Sequence, residues 1–343
     1  MGKNFIVGCW CAIIWAYGCT SDNKSSMDQE ENQSAKIRII FDTDANNELD
    51  DQHALAYLLL NGGVFQVEGV TVNATPSGGA VKNHYEEAAR IIQLCNLSEA
   101  IPLVTGADKN FPDIRAQIQQ PDFDGAEAVN FIIQRANIPD TNKLVVLAVG
   151  KLTNLALALL KDPSLSNKIR LVWLGSNYPK PGEYNQNCDT AAMSYVLQTA
   201  VPFEMVTVRY GEPSGTAAVA ITQNEINARM PGLGPKATQP VTGRHGGTFA
   251  TFGDYAIDLF AHIDYHDSTK SRALFDMAAV AIVKDPGLAA RLNIPAPVLV
   301  QNQWVDQSQN PRTITIWEYF SREAILEDFF NTLQNPQPVK SAQ

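Results

Sequence analysis

The chain has 343 residues, of which 45% are hydrophobic and 18% are charged. This length and apolar content predict one large α/β domain, or two smaller ones, with a sizeable buried core. The formal net charge of −10 at pH 7 argues against nucleic-acid binding, because an acidic protein repels phosphate backbones, and it leaves small neutral or cationic substrates open.

The N-terminus has the pattern of a targeting segment. Lys3 supplies a positive charge, and the apolar stretch 5–17 has the length of a signal peptide but is too short to cross a bilayer as a helix. The stretch ends with a small residue before Cys19, as in a bacterial lipobox. We therefore expect residues 1–18 to be a lipoprotein signal peptide, Cys19 to carry a lipid anchor, and the polar residues 19–36 to be a flexible tether. The expected location is the bacterial cell envelope, as a periplasmic or outer-membrane lipoprotein, with an ordinary cleaved signal peptide as the alternative.

Strand-like and helix-like segments alternate from residue 37 onward. The predicted strands span residues 37–41, 67–72, 102–106, 144–149, 169–174 and 203–208. The predicted helices span residues 51–60, 81–94, 126–136, 152–160, 190–199 and 273–283. Alternation with short connections predicts a domain over residues 37–335 of the α/β class, with a mostly parallel open sheet flanked by helices. Residues 209–270 are irregular and rich in glycine, which predicts a lid or substrate loop.

An acidic cluster directly follows the first predicted strand. Its aspartates are Asp42, Asp44, Asp50 and Asp51, and Glu48 lies among them. In open α/β sheets ligands bind beyond the carboxyl ends of the strands, which places this cluster at the expected site. Concentrated carboxylates suit a hard cation such as calcium or magnesium. The alternative is an exposed acidic turn that caps the following helix.

The cluster resembles the signature D-x-D-P-G-x-D-D of the inosine-uridine-preferring nucleoside hydrolases. The spacer between Asp44 and Asp50 is two residues longer than in the signature and lacks its Pro-Gly. Other segments resemble that family in the same order, namely residues 69–73, 88–92, 101–106, 148–156, 183–189 and 273–280. The resemblance covers about residues 37–290, and it implies a Rossmann-like nucleoside hydrolase fold.

The resemblance also implies a reaction and a cofactor. The reaction is hydrolysis of the N-glycosidic bond of a ribonucleoside, releasing ribose and a nucleobase, and the cofactor is Ca²⁺. The implied metal ligands are the carboxylates of Asp44, Asp51 and Asp276 and the backbone carbonyl of Thr153. Asp44 is also implied to accept a proton from the attacking water, and Asp42 is expected to lie behind the ligands. Thr153 as an ordinary helix cap is the alternative reading of that residue.

Contacts to the nucleoside follow from the same resemblance. The expected contacts to the sugar are Asp50, Asn73, Asn177, Glu183 and Asn185. The asparagines are also typical turn residues, and Glu183 also fits a surface acid. The only partners expected are the nucleoside and the lipid anchor at Cys19, and the sequence leaves the oligomeric state open, with a homo-oligomer as one expectation.

The nucleobase end of the site departs from the family pattern. Many members have a histidine directly before the last metal aspartate, whereas this chain has Phe275, which cannot donate a proton. The candidate replacements are His245, Tyr255, His262 and His266. The alternative is that the base stacks on aromatic side chains, including Phe275. We include His245 and Phe275 among the predicted substrate-binding residues.

Two other functions fit parts of the sequence. A tethered nucleoside- or sugar-binding lipoprotein without turnover fits the lipobox and the missing histidine. A metal-dependent phosphatase of the haloacid-dehalogenase type also has D-x-D after its first strand. Its motif continues with Thr or Val where this chain has Asn46, and it leaves the pair Asp50 and Asp51 unexplained.

Overall fold

The computed structural model of the protein describes residues 1–2, 35–265 and 268–340. Residues 3–34, which hold most of the predicted signal peptide and tether, lie outside the described residues, as does His266. The chain divides into two units, Met1–Ala35 and Lys36–Gln343. The second unit contains all the helices and strands of the described part. In that part of the chain, no helix has both the length and the apolar character needed to cross a bilayer.

The strands fall into one large sheet and three small ribbons. In chain order they are β1 (Ile37–Thr43), β2 (Phe65–Val72), β3 (Leu103–Val104), β4 (Leu144–Ala148), β5 (Ile169–Ser176), β6 (Phe203–Thr207), β7 (Ala220–Thr222), β8 (Val241–Thr242), β9 (Thr248–Phe249), β10 (Ser271–Ala273), β11 (Ala290–Pro295), β12 (Val298–Val300), β13 (Gln303–Val305) and β14 (Thr313–Glu318). The large sheet has the order β11-β14-β6-β5-β4-β1-β2-β3. All its neighbours are parallel except the edge strand β11, which is antiparallel to β14.

Helices connect the parallel strands. They are α1 (Asp50–Leu59), α2 (Val81–Leu94), α3 (Phe111–Ile114), α4 (Ala126–Ala136), α5 (Thr153–Lys161), α6 (Tyr184–Cys188), α7 (Thr190–Gln198), α8 (Gln223–Arg229), α9 (Phe252–Ala261), α10 (Phe275–Lys284) and α11 (Arg322–Gln334). The longest, α2 and α11, each bury one apolar face against the core.

Both faces of the sheet are buried, as the continuous apolar strands require. Ile39 and Phe41 of β1 point into one core, which also contains α1 and α10. Ile40, between them, points into the other core with α5 and α7. Because successive side chains of a strand alternate between faces, a run that is apolar throughout fits only a sheet covered on both sides.

The strand order reverses at β1, which lies between β2 and β4. Asp42 pairs in register with Thr71 of β2 and Ala148 of β4. Loops that leave neighbouring strands in opposite directions open a crevice at this switch point, where ligands bind in open α/β sheets. The acidic cluster therefore begins at the crevice.

The predicted fold class, a mostly parallel open sheet flanked by helices, is confirmed, and the predicted strands and helices occur with ends shifted by a few residues. The segment 209–270 is more structured than predicted, since it contains the ribbon strands β7, β8 and β9 and two helices, α8 and α9. Strands β11 and β14, which complete the sheet, were not anticipated from the sequence. The domain limits 37–335 stay a prediction.

Candidate active site

Asp42, near the end of β1, accepts hydrogen bonds from three neighbouring side chains. The donors are the hydroxyl of Thr71 at 2.6 Å and the Nδ2 atoms of Asn73 and Asn154, each at 2.8 Å. Asp42 is completely buried. Its carboxylate therefore holds β2 and α5 side chains in place behind the crevice, and it is not available to a ligand.

Asp44, two residues further on, lies in the crevice itself. Its Oδ2 accepts a hydrogen bond from the Thr75 hydroxyl at 2.5 Å. A Cβ at Gly150 would lie 2.8 Å from Asp44 Oδ1 and 3.0 Å from Asn73 Oδ1, so only glycine leaves room for the two side chains. Asn73 Oδ1 is buried and has no hydrogen-bond partner among the described residues. Asp44 Oδ1 and Asn73 Oδ1 thus both lie close to Gly150, and the Asn73 oxygen lacks a hydrogen-bond donor in the described part of the chain.

Three further carboxylates converge from two helix N-termini. Asp50 and Asp51 form the first turn of α1, and Asp276 is in the first turn of α10. One carboxylate oxygen from each lies within 4.8 Å of the others, and Asp51 also accepts a short hydrogen bond from Thr43. Acidic residues are favourable at helix N-termini, yet three at this spacing repel one another unless protons or a cation intervene.

Burial dominates the protonation of these groups. It raises the pKa of Asp42 and Asp44 to about 6 and that of Asp50 to about 7. The pKa of Asp51 and of Asp276 is raised well above the ordinary value by burial and by the neighbouring carboxylates. The residues present therefore take up protons in the absence of a compensating cation.

Basic side chains hold the lengthened spacer between Asp44 and Asp50. Arg244 donates to the carbonyl oxygens of Asn46 at 3.2 Å and Glu48 at 2.7 Å, and Arg272 forms an ion pair with the Glu48 carboxylate. The Asn46 amide donates to His84 Nδ1 at 3.2 Å. These contacts give the spacer a defined path without the Pro-Gly of the family signature, and they account for Glu48.

Lys151 supplies a buried positive charge near the acids. Its ammonium donates to the carbonyl oxygens of Asp108 at 3.3 Å and Lys109 at 2.9 Å, and to Oδ1 of Asn110 at 2.9 Å. Burial lowers the pKa of Lys151, while its charge lowers the pKa of Asp44. The residue that replaces the family proline therefore anchors the loop before α3 and partly offsets the acidic cluster.

Polar groups from β4, β5 and α6 form the opposite wall. Asn185 Nδ2 donates to the carbonyl oxygen of Val149 at 2.6 Å and to that of Leu174 at 3.2 Å. Glu183 caps α6 by accepting a hydrogen bond from the Gln186 amide at 2.8 Å. Burial, and secondarily the charge of Asp44, raises the pKa of Glu183 to about 8, so that the side chain carries a proton at neutral pH.

Two aromatic rings lie at the pocket. The rings of Tyr210 and Phe275 are nearly perpendicular, at 82°, with centroids 6.0 Å apart. Tyr210 is 46% exposed, so part of its ring faces solvent. Burial of the hydroxyl end, together with the charges of Glu183 and Asp50, raises the pKa of Tyr210, and the phenol keeps its proton.

These groups surround one pocket at the carboxyl ends of the strands. It is lined by Asp44, Asn47, Glu48, Asp50, Asp51, Val149, Leu174, Glu183, Tyr184, Asn185, Tyr210, Phe275 and Asp276. The lining is acidic at its base and aromatic at one side, and none of these residues is Lys, Arg or His. It suits an uncharged ligand with several hydroxyl groups and a planar ring.

A family model described as inosine-uridine preferring nucleoside hydrolase matches residues 39–327 of the chain. The chain belongs to this family. It is accordingly a hydrolase of the class that acts on N-glycosyl bonds.

Solved nucleoside hydrolases share the fold at low sequence identity. The plant nucleoside hydrolase PpNRh1 is 16% identical, with a TM-score of 0.68 over 88% of this chain and 100% of that one. The purine-preferring ribonucleoside hydrolase of Gardnerella vaginalis is 19% identical, with a TM-score of 0.67 over 87% of this chain and 98% of that one. The inosine-uridine preferring nucleoside hydrolase of Bacillus anthracis is 16% identical, with a TM-score of 0.63 over 87% of this chain and 99% of that one.

An uncharacterized protein of Schizosaccharomyces pombe is also similar in sequence. It is 26% identical over an alignment of 216 residues. The alignment covers 55% of this chain and 66% of that protein. The aligned region thus spans just under two thirds of the relative.

In this nucleoside hydrolase, seven of the residues predicted from the sequence line the pocket. They are Asp44, Asp50, Asp51, Glu183, Asn185, Phe275 and Asp276. Asp50 falls closer to Asp51 and Asp276 than expected for a residue assigned only to the sugar.

Thr153 requires a correction. It is the first residue of α5 and does not line the pocket, and its hydroxyl donates to Asp189 at 2.6 Å. A carbonyl in the first turn of an α-helix points along the helix axis toward an amide four residues later. Val149, four residues earlier and directly after β4, does line the pocket.

Asn73 and Asn177 also lie away from the pocket lining. Asn73 is buried behind it, on Asp42. Asn177 Nδ2 donates to the Pro181 carbonyl at 3.0 Å, and its Oδ1 accepts from the Tyr210 amide at 3.0 Å. Both ends of that carboxamide are engaged by backbone, so Asn177 positions Tyr210 and does not face a sugar.

Of the candidate proton donors that the structure describes, His245, His262 and Tyr255 do not line the pocket. His245 and His262 lie next to Asp258, at 3.5 and 3.3 Å, away from the lining. The Tyr255 hydroxyl donates to Glu87 at 2.7 Å and is buried. His245 is therefore not positioned as a substrate contact, and His266 lies outside the described residues.

Sequence reasoning missed Tyr210, Val149, Asn47 and Tyr184 as lining residues. Tyr210 lies in the irregular segment without a distinguishing pattern. Val149 precedes Gly150 in the segment compared with the family, and its place at the end of a predicted strand was the available signal.

Proposed function

We propose that the protein is a calcium-dependent hydrolase of ribonucleosides, which it cleaves to ribose and a free nucleobase. The observation that carries the proposal is the convergence of Asp50, Asp51 and Asp276, within 4.8 Å of one another, on a pocket that Asp44 also lines. Membership of the nucleoside hydrolase family over residues 39–327 supports the proposal.

The donor set fits calcium. All the candidate ligands are oxygen atoms, which hard cations prefer, and Ca²⁺ accepts six to eight of them in flexible geometry. We propose Asp44, Asp51 and Asp276 as carboxylate ligands. In place of the Thr153 carbonyl we propose that of Val149, which lines the pocket and has a second lone pair beyond its bond to Asn185. Bound there, the cation would offset the clustered charge and lower the pKa of water at the site.

Asp44 is the proposed general base. Its Oδ2 is fixed by Thr75, which leaves Oδ1 to accept a proton from water. A water that donates to this fixed oxygen has a defined orientation for attack on the anomeric carbon.

The sugar is held by neutral and protonated groups in this proposal. Glu183, with a pKa of about 8, can donate a hydrogen bond to a ribose hydroxyl at neutral pH. Asn185 and Asp50 line the same wall and base of the pocket and can accept or donate to the diol. The surrounding carboxylates also stabilise the positive charge that develops on the sugar as the bond to the base breaks.

The nucleobase is proposed to stack against Tyr210 and Phe275. Tyr210 retains its proton, so its phenol can donate to a ring nitrogen of the leaving base. We propose that it takes the role that a histidine has in many family members. Aromatic stacking with one hydroxyl donor makes the base end tolerant of different bases.

The other two readings of the sequence are less well supported. A phosphatase of the haloacid-dehalogenase type leaves the pair Asp50 and Asp51 unexplained, and no Lys or Arg is among the residues that line the pocket. Membership of a hydrolase family over residues 39–327 argues against a binding protein without turnover.

The experiment that tests the proposal is a substrate panel. The mature protein is incubated with ribonucleosides, 2′-deoxyribonucleosides and a chromogenic phosphate ester, with Ca²⁺ or with a chelator, and released sugar or phosphate is measured. We expect ribose release from ribonucleosides that depends on Ca²⁺. Binding of nucleosides without release of ribose, or hydrolysis of the phosphate ester, would overturn it.

A further inference from the structure

A second group of metal-ligating side chains lies outside the pocket, near the end of α9. Asp258 is in the last turns of α9, His262 follows the helix, and His245 comes from the glycine-rich loop between β8 and β9. One ligand atom from each of the three residues lies within 4.8 Å of the other two. None of the three lines the pocket, so the group is separate from the carboxylates of the proposed calcium site.

The distances within this group fit metal coordination better than direct hydrogen bonding. His245 Nδ1 is 3.5 Å from Asp258 Oδ2, and His262 Nδ1 is 3.3 Å from Asp258 Oδ1. N–H···O hydrogen bonds are usually about 2.9 Å long. Ligand atoms placed about 2.0–2.1 Å from a tetrahedral zinc ion are about 3.3 Å from one another. The two nitrogen–oxygen separations, one to each oxygen of the Asp258 carboxylate, are close to the edge length of such a site.

One oxygen of the Asp258 carboxylate lacks a hydrogen-bond donor in the part of the chain that the structure describes. Asp258 Oδ2 is buried and makes no hydrogen bond with the described residues. A buried carboxylate oxygen without a donor or a cation is unfavourable, and a metal ion between the imidazoles and this oxygen would remove the deficit.

The two imidazoles lie next to each other. Their rings are stacked, with centroids 4.4 Å apart, so one ring has to rotate for a nitrogen of each to bind the same ion. Arg244 donates to His245 Nε2 at 3.3 Å, which leaves Nδ1 of His245 toward Asp258. His262 Nδ1 also lies 2.8 Å from the Asp258 carbonyl oxygen, so coordination through Nδ1 replaces that hydrogen bond and coordination through Nε2 keeps it. Burial, Arg244 and His262 lower the pKa of His245, which favours the neutral, ligating form.

We propose that His245, Asp258 and His262 bind one divalent transition-metal ion of the zinc type, with water completing the coordination. Two imidazoles and one carboxylate suit Zn²⁺, Co²⁺ or Ni²⁺, whereas Ca²⁺ prefers oxygen ligands alone.

The site would connect the loop to the active-site spacer. Arg244, directly before His245, holds the carbonyl oxygens of Asn46 and Glu48. An ion shared by His245 and α9 would restrain this loop and with it the Arg244 contacts. The expected role is therefore structural, with an effect on the stability of the loop rather than on the chemical step.

The test is a Zn²⁺ titration of the full chain by calorimetry in saturating Ca²⁺, which keeps the carboxylate cluster occupied, and a parallel Co²⁺ titration followed by visible absorption. His262→Gln is the first variant, since the side chain is 47% exposed and its loss leaves the core intact. His245→Gln is the second, and Asp122→Asn, an exposed acid elsewhere, is the control.

We expect one equivalent of Zn²⁺ to bind and a tetrahedral Co²⁺ spectrum to appear. Each histidine substitution should weaken binding at least about tenfold, because one of three protein ligands is lost, while the control leaves it unchanged. Zn²⁺ should also raise the Tm of the unsubstituted protein and not that of the variants. Zn²⁺ binding by either histidine variant that equals binding by the unsubstituted protein, or a Kd for Zn²⁺ weaker than about 1 mM in the unsubstituted protein, would overturn the proposal. Neither outcome bears on nucleoside hydrolysis.

Discussion

The backbone amide of Tyr210 donates a hydrogen bond to Oδ1 of Asn177 at 3.0 Å. This bond joins the loop after β5 to the loop after β6, and it fixes the ring that faces Phe275 at the pocket. An asparagine that resembles a sugar contact in sequence is thus a support for the aromatic side of the site.

Asn177→Ala should weaken nucleoside binding without altering affinity for free ribose. Loss of the hydrogen bond to the Tyr210 amide costs about 1 kcal/mol, which corresponds to roughly a fivefold rise in KM with little change in kcat. Asn177→Asp keeps the acceptor for the Tyr210 amide but loses the donor to the Pro181 carbonyl, so it should recover only part of the lost affinity. Steady-state kinetics with ribose as a product inhibitor checks this, and a matching loss of ribose affinity would show that Asn177 contacts the sugar after all.

Two substitutions at Tyr210 separate its ring from its hydroxyl. Tyr210→Phe keeps stacking and removes the proton donor, so kcat should fall at least about tenfold while KM stays within a factor of two. Tyr210→Ala removes both, and KM should rise as well, because an aromatic contact contributes about 1 kcal/mol. The two are compared on one purine and one pyrimidine nucleoside. Full activity of the phenylalanine variant would exclude Tyr210 as the acid.

Calcium should stabilise the protein more at high pH than at low pH. The pKa values of Asp44, Asp50 and Glu183 are raised to about 6, 7 and 8. Groups with a raised folded-state pKa contribute stability that is complete below their ordinary pKa and is lost as pH rises through the raised value. The metal-free protein should therefore lose stability between pH 5 and pH 8.

Thermal unfolding with excess Ca²⁺ or with a chelator, at pH 5.5 and pH 8, measures this effect. We expect the gain in Tm from Ca²⁺ to be several degrees larger at pH 8, because the ion replaces protons on the cluster. Asp276→Asn should reduce the gain at pH 8. A gain that is equal at both pH values, or larger at pH 5.5, would contradict the assignment of the cluster as a cation site.

His53 gives a pH dependence of the opposite sign. It is buried among Phe252, Phe260 and Phe329, and burial lowers its pKa to about 4. The neutral form is favoured in the folded state, so its contribution is complete above the ordinary pKa of 6.5 and is lost as pH falls toward 4.

Urea unfolding in saturating Ca²⁺ isolates the His53 effect. Between pH 7 and pH 5 the unsubstituted protein should lose about 2 kcal/mol of unfolding free energy through this residue. His53→Gln, which keeps a donor for the Leu49 carbonyl, should lose correspondingly less over the same range. Identical losses of unfolding free energy in the two proteins would mean that protonation of His53 does not destabilise the folded state.

The site residues that are contiguous in the chain could be predicted from the sequence. Those contributed by distant segments could not. The acidic cluster was predictable because an apolar strand, four aspartates and the start of α1 are contiguous, and parallel strands put such loops at one edge. The Val149 carbonyl was not predictable in the same way, because the choice between it and Thr153 depends on where β4 ends and α5 begins. The residues between the end of β4 and the start of α5 therefore determine which backbone segment lies at the crevice.

Long-range contacts explain the remaining differences. Arg244 reaches the spacer from almost 200 residues away, and Tyr210 reaches Phe275 from an irregular segment. Neither has a periodic pattern or a spacing that links it to the acids. His245 was expected near the base because of its flexible loop, but the fold places that loop against α9, with Asp258.

Ribose release by the Asp44→Asn variant tests the central claim most directly. The variant keeps a side chain of the same size that can still be held by Thr75, and Asp122→Asn serves as the control. With ribonucleoside and saturating Ca²⁺, we predict that kcat falls by about 10²–10⁴-fold in the variant, as expected for loss of a general base, while the control is unaffected. Turnover in Asp44→Asn within a few-fold of the unsubstituted rate would contradict the assignment of this pocket as the site of N-glycosidic hydrolysis.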